Sequence, residues 1–158
     1  MKRFNLKSLL FAVSLLLAST AKLYCAGEGA EPLKVDWSFK GITGKFDRAS
    51  LQRGFQVYKE VCSSCHSMQY LSYRNLGEAG GPEFSEQEVK AIAASVEITD
   101  GPDDQGEMFT RPGRPADKFK NPYPNVKASI AANGGAYPPD MSVLVKARPG
   151  GSNYIYSV

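Results

Sequence analysis

Cys62-Ser63-Ser64-Cys65-His66 is the stretch on which the reading of this chain turns. Two cysteines with two residues between them lie about one helical turn apart, and a histidine follows the second directly. That separation suits two thioether bonds to the vinyl groups of a porphyrin. The histidine is then carried beneath the iron as a nitrogen ligand. Three plainer readings compete. A Cys-x-x-Cys zinc site needs a second ligand pair, and beyond residue 26 the sequence holds no other Cys and no other His. A thioredoxin-like redox pair belongs in a βαβ setting, whereas the residues before Cys62 have helical spacing. A tight disulfide in an exported protein is the third, and it leaves the adjoining histidine without a role. The motif therefore points to one covalent haem c, attached at Cys62 and Cys65, with His66 as an axial iron ligand.

The second iron ligand is harder to read. His66 is the sole histidine of the sequence, so a bis-histidine site within this chain is excluded. Methionine is the usual partner in electron transfer because it raises the potential. Beyond the first residues there are Met68, Met108 and Met141. Met68 follows His66 too closely to reach the opposite haem face. Met108 and Met141 are open by distance alone, yet methionine more often fills a core than binds a metal. The residues single out none of the three.

Upstream of the motif, Asp47 reads as an N-cap, and Leu51, Phe55, Tyr58 and Val61 fall on one helical face running into Cys62. Gly54 lowers helix propensity on that face by about 1 kcal/mol, which would make sense where another helix crosses closely. Residues 27–46 show no sustained period and read as an extended segment, with Trp37 and Phe39 pinned against the domain. Downstream, Ser85-Glu86-Gln87-Glu88 is a capping box opening a helix with Val89, Ile92, Ala93 and Val96 on one face. Residues 99–124 hold five prolines and three glycines, which leaves no room for a long helix and predicts a long loop of functional kind. Asn125 caps a predicted helix, Val126 to Asn133, stopped by Gly134 and Gly135. Pro138-Pro139-Asp140 starts another, Met141 to Arg148, stopped by Pro149 and Gly150.

The first 26 residues differ from the rest. A basic start (Lys2, Arg3, Lys7), an apolar run from Leu9 to Ala18 and then small residues have the order of a secretory leader, and the run is too short to span a bilayer comfortably. An uncleaved anchor is the plainer alternative. Removing the leader takes away Lys2, Arg3, Lys7 and Lys22, so 19 basic residues become 15 against 16 acids, and the formal charge moves from +3 to −1. Nothing then supports a nucleic-acid surface.

Beyond the haem motif, the chain resembles the cytochrome c1 family, the haem subunits of ubiquinol–cytochrome c reductase, from about Trp37 to Val158. The resemblance rests on Trp37-Ser-Phe-Lys-Gly41, Leu51-Gln-Arg-Gly-Phe-Gln-Val-Tyr58 and Val61-Cys-Ser-Ser-Cys-His-Ser-Met68. It continues through Asp100-Gly-Pro102, Gly106-Glu-Met-Phe109, Arg111-Pro-Gly113 and Asn121-Pro-Tyr-Pro-Asn125. Ala131-Ala-Asn-Gly-Gly-Ala136, Pro138-Pro-Asp-Met-Ser142 and Val145-Lys-Ala-Arg148 complete it. The bacterial style of the leader points to the alphaproteobacterial branch.

The resemblance implies a mainly α, c-type cytochrome haem domain over 27–158, with long irregular Pro/Gly-rich loops and incomplete at its C-terminus. It implies that Arg148 pairs with a haem propionate, that Tyr154 is an aromatic near a propionate, and that Asn133 and Pro138-Pro139 line the haem edge. For Arg148 the plainer reading is a charge at a helix C-terminus, favoured by the dipole. The family's axial methionine lies in a downstream Ala-Met-Ala-Pro-Pro-like segment, followed by a transmembrane helix, and neither is in this sequence. Met141 stands where relatives often have Leu, and Pro149 where many have His. The expectation is a portion of a longer protein whose sixth iron ligand is not in this chain.

As a member of that family the protein would work beside cytochrome b, taking electrons from a Rieske iron–sulfur protein and passing them to a soluble cytochrome c. It would be exported and held at the periplasmic face of the bacterial inner membrane by a C-terminal anchor. No substrate bond would be made or broken at this subunit. Asp100, Asp103, Asp104 and Glu107 would steer a basic cytochrome, or form an ordinary solvated loop. The alternative function is a stand-alone c-type haem protein whose open sixth site binds a small ligand.

Overall fold

Residues 30–158 are described by the computed structural model; the leader expected over 1–26 lies outside them. Helix α1 (Arg48–Glu60) starts where the sequence places it, with the Asp47 carboxylate accepting the Ser50 N–H at 2.7 Å. That bond satisfies one of the free donors of the first turn; the Ser50 side chain and backbone N–H, with Arg53 nearby, hold the Asp47 carboxyl below its ordinary range. Leu51, Phe55 and Tyr58 are half-buried on one face. Val61, expected on the same face, is 64% exposed, because the helix has ended at Glu60 and the chain tightens there.

The core is aromatic and small. Tyr73, Leu76, Val89, Ala93 and Phe119 are buried together, with Phe55, Tyr58, Met68, Phe84, Ile92 and Val96 packed against them. Phe119 is the hub: its ring centroid lies 4.9 Å from that of Tyr73, 5.7 Å from Tyr58 and 6.0 Å from Phe55. Helix α2 (Glu86–Ala94) supplies Val89 and Ala93 from one face. Its capping box is formed as predicted: Ser85 Oγ accepts the Glu88 N–H, and Glu88 accepts the Ser85 N–H at 2.7 Å.

The Pro/Gly-rich region differs from its sequence reading. It holds no long helix, but strands β1 (Glu97–Asp100) and β2 (Phe109–Pro112) pair antiparallel, from Glu97 opposite Pro112 to Asp100 opposite Phe109. Four residues per strand are too few for a period to show. Tertiary contacts hold the hairpin instead. Gly113 donates its N–H to Val96 O at 2.9 Å, and a Cβ there would lie 2.5 Å from Ala93 O, so only glycine permits this close approach. The Arg111 guanidinium forks onto Asp117, Nη1 to Oδ2 at 2.7 Å and Nη2 to Oδ1 at 2.9 Å, while its Nε bonds Asp100. Residues 114–119 then run against 71–74: Tyr73 N–H donates to Asp117 O, Arg74 N–H to Pro115 O, and Phe119 N–H to Leu71 O. The predicted loop is thus pinned to the core by its own backbone.

Helix α3 (Val126–Ala132) is capped by Asn125, whose Oδ1 accepts the Ala128 N–H at 2.9 Å. Gly134 and Gly135, at φ +63° and +91°, end it. Two short helices follow, α4 (Leu144–Ala147) and α5 (Ser152–Ser157). Trp37 and Phe39 are pinned as the sequence suggests. Their rings stack at 5.5 Å, and Trp37 meets Tyr156 of α5 edge-on at 5.7 Å. The close crossing expected at Gly54 is not found. Nothing described comes within 4 Å of a Cβ built there, and Gly54 lines an open groove of about 540 Å³ with Leu51, Phe55 and Pro82. No helix of the described residues is long and apolar enough to cross a membrane.

Candidate haem site

Where α1 stops, its free carbonyls are taken up by the two serines of the motif. Ser63 Oγ donates to Lys59 O at 2.8 Å and Ser64 Oγ to Val61 O at 2.6 Å. The chain then narrows to a 3-10 turn over Cys62–Ser64, and Cys62 O accepts both the Cys65 N–H at 3.2 Å and the His66 N–H at 2.8 Å. In such a turn residues three apart stand above one another, so Cys62 and Cys65 share a side. Both are free, half-buried thiols, which leaves the disulfide reading without support. Among the described residues no three His, Cys, Asp or Glu side chains converge on a metal-sized point, so the zinc reading finds no second ligand pair.

His66 is oriented from the far end of the sequence. Its Nδ1 lies 2.8 Å from Pro139 O. A carbonyl can only accept, so Nδ1 carries a proton, and in the neutral ring Nε2 keeps its lone pair. That tautomer is the one a metal needs, and a backbone carbonyl behind a ligating histidine is a common way of fixing it.

A clasp between residues 67–70 and 139–142 holds this contact in place. Met141 N–H donates to Ser67 O at 2.8 Å, and Tyr70 N–H to Ser142 Oγ at 3.1 Å. Asp140 sits at its centre. Oδ2 accepts Ser67 Oγ–H at 2.7 Å and Gln69 N–H at 2.9 Å, while Oδ1 accepts Ser142 N–H at 2.9 Å. Burial pushes the Asp140 carboxyl up, but the bonds from Ser142, Gln69 and Ser67 outweigh it and hold the group below its ordinary range.

The sequence places a helix start at Asp140, and the structure moves it. Its carboxylate folds onto Ser67, Gln69 and Ser142, so residues 141–143 stay out of the helix and α4 begins only at Leu144. Neither Ser67 nor Asp140 carried a sequence signal for this role, because the pairing spans 73 residues.

Beside Cys65, a cleft of about 140 Å³ opens, lined also by Asn121, Pro124, Ser129, Tyr137 and Pro138. Tyr58, one turn before Cys62, has a buried hydroxyl with no hydrogen-bond partner among the described residues. Burial, together with nearby Tyr73, Asp140 and Cys62, pushes its pKa up to about 12. The donor set suits a c-type haem: two free thiols on one tight turn, and one imidazole with its nitrogen lone pair fixed and uncommitted.

The remaining expected positions fall in two places. Arg148 and Tyr154 are brought together, the guanidinium carbon 5.9 Å from the tyrosine ring centroid. Arg148 is also the residue ending α4, so the dipole reading describes its position too. Asn133 is separate: its Nδ2 donates to Ser129 O at 2.7 Å, closing the end of α3. Met68 packs against the core, and Met108 is 60% exposed beside the hairpin. Of the four loop acids, Asp100 is committed to Arg111. Asp103 Oδ1 accepts the Gln105 and Glu107 N–H groups, each at 2.9 Å.

The model of the Cytochrome C1 family matches residues 37–158. "Cytochrome c1" of Rhodospirillum rubrum is 59% identical over 134 residues, 84% of this chain and 48% of its own length. "Cytochrome c1-2, heme protein, mitochondrial" of Solanum tuberosum is 50% identical over 141 residues, 89% of this chain and 53% of its own. "Cytochrome b-c1 complex catalytic subunit, mitochondrial" of Candida albicans is 48% identical over 140 residues, 88% and 48% respectively. The chain thus spans about half the length of these relatives. With a family match over 37–158, the chain belongs to the cytochrome c1 family.

Proposed function

We propose that this chain is the haem-bearing part of an electron-transfer subunit of a quinol–cytochrome c reductase complex. Cys62 and Cys65 hold one haem c through thioether bonds, and His66 binds its iron through Nε2. The observation that carries this reading is the 2.8 Å contact from His66 Nδ1 to Pro139 O. A histidine whose Nδ1–H is held by a carbonyl, beside two free thiols, is arranged to offer Nε2 to a metal. The haem, when bound, supplies a one-electron couple. The chain's own part is to fix the imidazole, shield one face of the site and place charge at its edge.

Arg148, with Tyr154 beside it, supplies that charge at a haem propionate, and Pro138-Pro139 lie at the haem edge. None of Met68, Met108 and Met141 is the sixth ligand; that ligand comes from residues beyond these. Cytochrome b and a Rieske iron–sulfur protein are the partners within the complex, and the Rieske centre is the electron donor. A soluble cytochrome c is the acceptor, met by Asp104 and Glu107 rather than by Asp100, which Arg111 already holds. The site of work is the periplasmic face of the bacterial inner membrane, reached by export through the leader and kept by a membrane anchor.

A pyridine haemochrome assay on protein matured in a host with a c-type haem attachment system tests the core of this reading. Covalent haem is expected in the wild type. It should be lost in the Cys62→Ala, Cys65→Ala double variant, and non-covalent haem or none in the wild type would overturn the assignment. Spectra of the full-length protein separate the two functions. A six-coordinate, low-spin iron fits electron transfer, whereas a high-spin ferrous iron that takes up CO means an open site for a small ligand.

A further inference from the structure

The Arg148–Tyr154 pair rests on elements too slight to hold it. Helix α4 is a single turn, and α5, which carries Tyr154, buries none of its residues. Ser152 to Ile155 are only half-buried, so packing alone fixes α5 weakly. The hold comes instead from the extended segment at the other end of the described chain. Leu33 N–H donates to Ser157 Oγ at 2.8 Å. Asn153 Oδ1 accepts two donors at once, Val35 N–H at 3.2 Å and Trp37 Nε1–H at 2.7 Å. The Trp37 ring, stacked on Phe39, which in turn leans on Phe46, covers Tyr156 edge-on. These bonds span 116 to 124 residues of sequence, and the residue that gathers two of them adjoins Tyr154.

We propose that Asn153 is a positioning residue. Its side-chain oxygen, clamped by Val35 and Trp37, fixes α5 so that Tyr154 holds the Arg148 guanidinium at its place beside the haem, and the clamp thereby helps set the haem reduction potential. This rests on the reading of Arg148 as a propionate partner. An arginine near a haem edge favours the reduced, less positive state, so letting it drift into solvent lowers the potential. The clamp acts only through Arg148, and its effect should vanish when Arg148 is gone.

The test is an optical redox titration of the full-length, haem-loaded protein in four forms besides wild type: Arg148→Gln, Asn153→Leu, Trp37→Phe and the Arg148→Gln, Asn153→Leu double variant. None of these changes adds a charge near the haem, and Trp37→Phe keeps an aromatic ring while deleting the indole donor. Arg148→Gln should lower the reduced-to-oxidised ratio at fixed potential about threefold, the scale of one partly exposed ion pair. Asn153→Leu and Trp37→Phe should each move it the same way by a smaller factor, and the double variant should match Arg148→Gln alone. Additive shifts in the double variant, or an unmoved potential in both Asn153→Leu and Trp37→Phe, would overturn the positioning role while leaving the propionate reading intact. An unmoved potential in Arg148→Gln would instead remove the propionate reading and the inference with it. If Asn153→Leu does not accumulate, Trp37→Phe alone and combined with Arg148→Gln decides by the same comparison.

Discussion

His66 Nδ1 and the carbonyl oxygen of Pro139 lie 2.8 Å apart across 73 residues of sequence. No side chain can be changed to remove a backbone carbonyl, but the loop that presents it is held by Asp140. Asp140→Ala deletes an acceptor for Ser67, Gln69 and Ser142 and leaves those donors to find new partners. A loss of about 1–3 kcal/mol in urea unfolding is expected, together with a lower yield of covalent haem. Asp140→Asn, which keeps an acceptor oxygen, should lose less. Equal losses in the two variants would mean that charge, not hydrogen bonding, holds the clasp.

Arg111, bonded to Asp100 within the hairpin, joins the hairpin to the core through Asp117. The Arg111 fork, against a smaller opposing effect of burial and with help from the Arg114 N–H, holds the Asp117 carboxyl down at about 2 from an ordinary 3.8. A carboxyl whose pKa is depressed by folding stabilises the fold above its unfolded value and loses that contribution as pH falls through its folded value. The acid limb from Asp117 therefore lies between 3.8 and about 2. Arg111→Leu should lower stability at pH 7 by about 1–3 kcal/mol and flatten that limb in an acid titration of unfolding. An acid limb of unchanged depth would place its origin in other carboxyls.

Tyr58 buries a hydroxyl that no described residue bonds. Removing an unpaired buried polar group relieves its desolvation and is neutral or stabilising. Tyr58→Phe should therefore unfold at the same or a higher denaturant concentration than wild type. A loss above about 1 kcal/mol would mean that the hydroxyl has a partner in the folded, haem-loaded protein.

Met108 is largely exposed beside the hairpin, and Met141 donates its N–H to the Ser67 clasp. Replacing either by Leu in the full-length protein should leave the low-spin iron spectrum and its far-red sulfur-to-iron band, read by magnetic circular dichroism, as in the wild type. Loss of the band in one variant would identify that methionine as the ligand.

The local elements were legible because their signals are local. Asp47, Ser85 and Asn125 each cap the helix that follows by reaching a backbone N–H three residues on, and a spacing of three is visible in a sequence. The same holds for Gly134 and Gly135, whose conformational freedom marks a helix end. The four-residue strands were not legible: their pairing depends on Gly113 passing Ala93 and on the Arg111 fork, contacts with no local period. Asp140 misled for a related reason. Its sequence neighbours favour a helix cap, and the donors that claim its carboxylate come partly from Ser67 and Gln69.

The chemistry of the site is written in three residues. Cys62, Cys65 and His66 are a fixed set of donors at a fixed spacing, and no folding event changes which atoms they offer. How those atoms are held depends on packing between distant parts of the chain. The proton on His66 Nδ1 follows from Pro139, and the short helix that carries Tyr154 is tied through Asn153 to Trp37 and Val35. Such contacts join residues 73 to 118 positions apart, and only the packed chain brings them within hydrogen-bonding distance.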